Sequence, residues 1–200
     1  MSKRIVLFSQ PSPEIFAKLS EVLFPKYLND KVFAYMPANG ADSDNDLYTK
    51  IWEEFANSNN AKFVFVDNSK RGDQALAEHK KILNSNILMI TGGNTFTLLN
   101  HLRLSGLDNT IKQFWQKENV VLSGFSAGAI VLSPSIWVAS MGDADTNEVG
   151  ITDLMGLNIV DFEVWPHFEQ SQRPQADEYK LSNQREIKLI GNDEVLVVDK

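Results

Sequence analysis

A chain of 200 residues that is 43% hydrophobic and 22% charged, with only eleven Gly and seven Pro, has the composition of a folded protein rather than a disordered or fibrous one. Nineteen Lys and Arg against 26 Asp and Glu leave a net charge of −7, the wrong sign for a phosphate-backbone binder, and the absence of Cys removes disulfides, thiolate metal sites and cysteine nucleophiles. The longest hydrophobic run is five residues, Val32 to Met36, and only Ile5 to Phe8 follow Lys3 and Arg4; a membrane-crossing helix needs roughly 20 apolar residues and a secretory signal about 7–15, so a cytoplasmic protein without nucleic-acid or membrane partners is expected.

Short runs rich in Val, Ile and Phe recur along the chain: Ile5–Phe8, Val32–Met36, Phe63–Val66, Ile87–Ile90, Val120–Leu122, Ile136–Ala139, Ile159–Val160 and Val195–Val198. Each reads as a strand. Several are continuous rather than alternating, as strands of a parallel sheet covered on both faces are. Between the early ones lie segments with helical spacing. The first opens at Ser12-Pro13, a cap followed by a first-turn proline, and the others fall at about 46–56, 73–83, 95–104 and 108–117. Strand and helix alternate through residue 132, which predicts an α/β sandwich with a mostly parallel sheet in one domain spanning 1–200. After Pro134 strands and loops are expected, with a polar helical segment at about 174–186. Asp42, Asp44, Asp46 and Glu53 have a calcium-loop spacing, but Leu47 stands where the turn needs Gly, and a solvated acidic loop is the better reading.

Chemistry concentrates at Val120-Val-Leu-Ser-Gly124-Phe125-Ser126-Ala127-Gly128-Ala129, a buried strand, a G-x-S-x-G turn and a helix start. That is the context of a nucleophile elbow, in which the serine occupies a strained backbone and the flanking glycines let strand and helix approach closely. The N–H of Ala127 would then face a developing oxyanion. A second strand ends at Thr91-Gly92-Gly93-Asn94-Thr95, without the spacing of a nucleotide-binding loop; there the N–H of Gly93 or Asn94 could be the second oxyanion donor. Serine needs a positioned base. His167, in Trp165-Pro166-His167-Phe168, is the candidate for a catalytic triad, whereas His79 and His101 read as surface helix residues. For the acid, Asp143 and Asp145 follow the elbow and Asp193 and Glu194 precede the last strand. Glu194 is preferred over Asp143, because strand-end turns gather on the edge that carries the elbow. No metal or organic cofactor has a legible site, so none is expected.

The set Thr91-Gly-Gly-Asn94-Thr95, Gly124-Phe-Ser126-Ala-Gly128-Ala129 and Pro166-His167-Phe168 resembles the peptidase E (aspartyl dipeptidase) family, relatives of cyanophycinase. The resemblance spans most of the chain. It implies a flavodoxin-like three-layer α/β sandwich related to class I glutamine amidotransferases, with Ser126 as nucleophile, His167 as base, Gly93 or Asn94 and Ala127 at the oxyanion hole, and an acid at Asp143 or Glu194. The implied activity is that of a serine exopeptidase or dipeptidase forming an acyl-enzyme on small peptides, its expected partners, with homodimer formation left open. A non-catalytic binding member of the fold and an esterase or amidase are the alternatives. Family members that cleave after an N-terminal aspartate are thought to read its carboxylate with an arginine beyond the histidine. No arginine stands at the matching place here, although Arg173, Lys180 and Arg185 lie in the region.

Overall fold

The apolar runs are buried on both faces, and alternate residues of one strand enter different cores. In the computed structural model, which describes residues 2–41, 46–141 and 145–200, Ile5 and Leu7 pack with Leu88, Ile90, Leu102 and Phe114, while Val6 and Phe8 pack with Ile15, Leu19 and Trp52 on the opposite side. Period-two side-chain alternation in a sheet covered by helices on each face produces this division, which is why the strands read as unbroken hydrophobic runs.

Strands β1 (Lys3–Phe8), β2 (Val32–Met36), β3 (Lys62–Phe65), β4 (Ile87–Ile90) and β5 (Val120–Phe125) are linked by helices α1 (Pro13–Leu23), α2 (Asp46–Ser58), α3 (Ala75–Leu83), α4 (Thr95–Ser105) and α5 (Leu107–Gln116). The sheet order is β3-β2-β4-β5-β1, all parallel, with β8 (Val195–Asp199) added antiparallel beside β1. Helices α1 and α2 cover one face and α3 to α5 the other. The first cover is secured by Trp52, fully buried and stacked on Phe33 and Phe125 with ring centroids 6.1 Å away in each case. The Ser12 cap is present, its hydroxyl accepting from the Ile15 N–H, with Pro13 opening α1. Among the described residues no helix is long and apolar enough to cross a membrane.

Past β5 come the four-residue helix α6 (Ala127–Ile130), β6 (Glu163–Trp165), α7 (Arg173–Asn183) and β7 (Ile187–Leu189), with β6 and β7 pairing as a separate parallel ribbon. Two expected strands are absent. Ile136–Ala139 lies in a 3-10 turn, since the Ala139 and Met141 N–H groups bond back three residues to Ile136 and Val138. Ile159 and Val160 instead donate to the Leu132 carbonyl, sealing the end of the α6 segment. The strand proper begins at Glu163, whose buried carboxylate accepts from Arg185 at 2.9 Å and Ser135 at 3.0 Å, pinning β6 in place. Residues 42–45, which carry part of the acidic loop, and Asp143 lie outside the described residues.

Candidate active site

The C-terminal edge of the parallel sheet gathers the ends of β1, β4 and β5 and, because β8 runs antiparallel, the turn before β8. Phe8 pairs with Phe125 on one side and with Val195 on the other. At the end of β5 the chain turns through Ser126, whose φ of 49° and ψ of −121° place a non-glycine residue in the sparsely populated positive-φ region. The turn is tied down by the Ser126 N–H donating to the Phe8 carbonyl, and by Ala129 and Ile130 N–H groups donating to the Ser126 carbonyl. The two glycines of G-x-S-x-G are required by close approach. A Cβ on Gly124 would stand 2.3 Å from the Gly128 carbonyl oxygen, and one on Gly128 would stand 2.1 Å from that of Ile90.

His167 reaches this turn from β6. Its Nε2 is 3.0 Å from Ser126 Oγ and its Nδ1 is 2.8 Å from Asn192 Oδ1. The His167 backbone itself has a φ of 55°, following Pro166, and its N–H donates to Ser9 Oγ at 2.9 Å. Ser9 is fully buried at the end of β1, and its hydroxyl donates a hydrogen bond to the Ile190 carbonyl. The imidazole is thus set by three separate segments: the ribbon after β6, the end of β1 and the turn before β8.

The preferred acid is elsewhere. Glu194 accepts from the Gly191 N–H at 2.8 Å, so its carboxylate closes the turn before β8, and the residue that this turn presents to His167 is Asn192. The turn before β8 does lie on the elbow edge, but a four-residue turn stapled by Glu194 presents its second residue rather than its last. Asp193 gives its carbonyl to Lys18. Asp145 accepts from the Thr95 N–H at the start of α4, not from the imidazole. Neither Asn192 nor Ser9 is among the sequence candidates: an amide carries none of the charge expected of a triad acid, and the only sequence signal for Ser9 is a hydroxyl directly after the first apolar run.

The Gly92-Gly93 turn lies against the serine, since a Cβ on Gly92 would stand 3.0 Å from Ser126 Cβ. Gly93 has a φ of 146°, and a Cβ there would meet Ala38 Cβ at 2.7 Å, so no other residue type fits. Asn94 caps α4 through its side chain, which accepts from the Thr97 N–H. The backbone N–H groups of Gly93, Asn94 and Ala127 make no hydrogen bond among the described residues. Two cavities flank Ser126 and His167. One, of about 530 Å³, is lined among others by Thr95, Asp145, Trp165, Glu169 and Asn192. The other, of about 360 Å³, is lined by Tyr35, Tyr48, Gly92, Gly93 and Phe125, and burial pushes the Tyr35 hydroxyl up to about 12, so it faces the cavity uncharged. Among the described residues no group of three His, Cys, Asp or Glu side chains is arranged to hold a metal.

Against this geometry the relatives are informative. The model of peptidase family S51 matches residues 12–200. The chain belongs to peptidase family S51. That places it among the serine-type peptidases. Similar curated proteins include the uncharacterised peptidase Lmo0363 of Listeria monocytogenes, 27% identical over 149 residues that make up 74% of this chain and 71% of that one. Peptidase E of Escherichia coli is 28% identical over 146 residues, 71% of this chain and 60% of the relative. An uncharacterised peptidase of Pasteurella multocida, PM1590, is 33% identical over 106 residues, about half of each chain. A crystal structure of a Listeria monocytogenes protein assigned provisionally to peptidase E superposes with a TM-score of 0.75 at 24% identity, covering 100% of this chain and 98% of that one. A peptidase from an acI-B1 actinobacterium gives 0.71 at 22% identity, covering 99% and 84%. The S51 fold is therefore that of this chain, a mostly parallel sheet between helical layers.

The remaining histidines differ from their expected surface role. His79 is half-buried, bonded through its ring to Thr110 Oγ1 and the Ser105 carbonyl, which ties α3 to the α4–α5 junction. His101 is half-buried beside Asn68 Oδ1, and burial holds its imidazole below the ordinary value, with the Arg71 cation acting in the same direction and Asp67 opposing. A depressed histidine binds fewer protons in the folded state than in the unfolded one, so its stabilisation is present above the ordinary histidine value of about 6.5 and is lost as pH falls through the folded value. Thermal unfolding between pH 7.5 and 5 should consequently show a smaller loss of Tm in His101→Asn than in the wild type; equal slopes would remove His101 as a contributor.

Proposed function

We propose that this S51 member is a cytoplasmic serine exopeptidase acting on small peptides, dipeptides foremost, through an acyl-enzyme on Ser126. The observation that carries the reading is the 3.0 Å contact between Ser126 Oγ and His167 Nε2 on a strained turn that opens into two cavities. Such a turn serves as a nucleophile elbow: Oγ projects from the strand end, and the imidazole accepts its proton as Oγ attacks the scissile carbonyl. The carbonyl oxygen becomes an oxyanion facing the N–H groups of Ala127 and of Gly93 or Asn94, which have no partner among the described residues. The imidazolium then protonates the leaving amine. A water enters, gives its proton to His167 and attacks the acyl carbonyl, and collapse of the second intermediate returns the proton to Oγ.

Asn192 completes a Ser-His-Asn arrangement. Its Oδ1 accepts from Nδ1–H, which leaves Nε2 free of hydrogen and able to act as base. An amide fixes the tautomer but adds no negative charge to balance the imidazolium. Asn192→Ala should therefore lower kcat/KM about 10- to 100-fold, at or below the low end of a general-base contribution, because the bond is exposed to water and Asn192 only orients the base. Asn192→Asp should retain activity and move the acid limb of the pH profile upward, since a carboxylate favours the charged ring. An Ala variant as active as the wild type would leave the imidazole without need of Asn192.

The reading is tested by labelling with a fluorophosphonate and mapping the adduct by mass spectrometry, alongside a panel of dipeptides and small esters. Adduct at Ser126 with dipeptide hydrolysis is expected. Adduct with ester turnover alone would make the protein an esterase, and a folded protein that never labels would favour a non-catalytic binding role.

A further inference from the structure

The two cavities beside Ser126 differ in chemistry, and neither suits an anionic residue. Neither has a Lys or Arg among its lining residues. Arg185 is committed to Glu163, and Arg173 and Lys180 belong to α7 without lining either space. The larger cavity instead carries two carboxylates, Asp145 and Glu169, neither in an ion pair among the described residues. Asp145 is held at two points: its N–H donates to the Ala139 carbonyl and its Oδ2 accepts from the Thr95 N–H at 2.8 Å, while its Oδ1 has no hydrogen-bond partner among the described residues. Thr95, fully buried in the same lining, has a hydroxyl oxygen with no hydrogen-bond partner among the described residues. A buried hydroxyl without a partner is costly unless a ligand satisfies it. Asp145 Oδ1 and the Thr95 hydroxyl are thus two groups of this lining without a partner among the described residues, with a further carboxylate, the exposed Glu169, at the cavity mouth. The smaller cavity is bounded by Tyr35, Tyr48 and Phe125 and suits an apolar or aromatic side chain.

We infer that this enzyme selects peptides whose N-terminal residue is positively charged, its cationic group seated between Asp145 and Thr95 with Glu169 at the entrance, and whose second residue is aromatic or apolar and lies against Tyr35 and Phe125. The inference rests on the serine-peptidase reading for the placement of the scissile bond. An N-terminal aspartate would bring a third carboxylate into a space with no cation to receive it, a like-charge juxtaposition that suppresses binding.

The test compares Lys-Phe, Leu-Phe and Asp-Phe as substrates. Values of kcat/KM should fall in that order, with at least about a tenfold gap between the first and last, a gap that narrows at high salt because the Glu169 contribution is exposed. Asp145→Asn keeps an acceptor for the Thr95 N–H and removes the charge; it should shrink the Lys-over-Leu preference severalfold, and Glu169→Gln should shrink it less. Hydrolysis of Asp-Phe as fast as Lys-Phe, or a preference unchanged by Asp145→Asn, would overturn the inference while leaving the serine mechanism intact. If the wild type hydrolyses none of the three, calorimetric titration of Ser126→Ala separates the two readings. Tighter binding of Lys-Phe than of Asp-Phe would uphold the charge selection without the catalytic assignment, and equal or undetectable binding of both would end it.

Discussion

Ser126→Ala should lower dipeptide turnover by about 10⁴- to 10⁶-fold, with thermal unfolding close to that of the wild type. The substitution removes only Oγ. Backbone bonds that shape the turn, from Ser126 N–H to Phe8 and from Ala129 and Ile130 to Ser126, involve no side-chain atom. Alanine and serine also face a similar penalty at a φ of 49°. On the proposed mechanism, what disappears is the atom that forms the acyl bond, and with it the two-step route. The residual rate would come from the N–H groups of Ala127 and the Gly93–Asn94 turn acting on a water-attacked carbonyl. In that mechanism Ser126 and His167 act as one unit, so His167→Ala should cost about as much, and the double variant should cost little more than either alone. Steady-state kinetics with matched circular dichroism melts check this. A loss of less than tenfold in Ser126→Ala would exclude Ser126 as the nucleophile.

The parts of the molecule that follow from periodicity were legible, and those that follow from tertiary turns were not. Runs such as Ile5–Phe8 and Ile87–Ile90 had to be strands buried on both faces, because no solvent-facing strand is apolar at each position, and their alternation with helical segments through residue 132 led to the layered α/β fold. Ser126 and His167 could be singled out since each carries a local signature: paired glycines around the serine, a proline fixing the approach to the histidine. Asn192 had none. Its role depends on β8 running antiparallel to β1, which brings the Gly191–Glu194 turn to the elbow edge, and on Glu194 folding back onto the Gly191 N–H. Ser9 likewise matters only because β6 ends opposite β1. The ribbon of β6 and β7 was missed for a related reason: three-residue strands such as Ile187-Lys188-Leu189 are too short for a period to register, and they are fixed by contacts such as Ile190 N–H to the Trp165 carbonyl.

Gly128→Ala should be the most damaging single-methyl change in this region, at about 3–5 kcal/mol and a fall in Tm of roughly 8–15 °C for a chain of this size. Ordinary overpacking costs about 1–3 kcal/mol because neighbouring side chains rotate away. Here the neighbours are backbone: the new Cβ would stand 2.1 Å from the Ile90 carbonyl oxygen, 2.6 Å from its carbon and 2.8 Å from the Thr91 oxygen. Those atoms end β4, a central strand hydrogen-bonded to β2 on one side and β5 on the other, so they have no direction in which to yield. Relief must come from α6 lifting off the sheet, and α6 carries the Ala127 N–H and fixes Ser126. Activity should therefore fall with stability, even below the melting transition. Gly150→Ala supplies the contrast, since a Cβ there meets nothing within 4 Å and only the φ of 65° opposes it, at about 1–2 kcal/mol. Differential scanning calorimetry of both variants decides the matter: a Gly128→Ala protein that melts within about 2 °C of the wild type, a shift worth under about 1 kcal/mol, and turns over peptide normally would show that strand and helix do not approach as closely as the nucleophile turn requires.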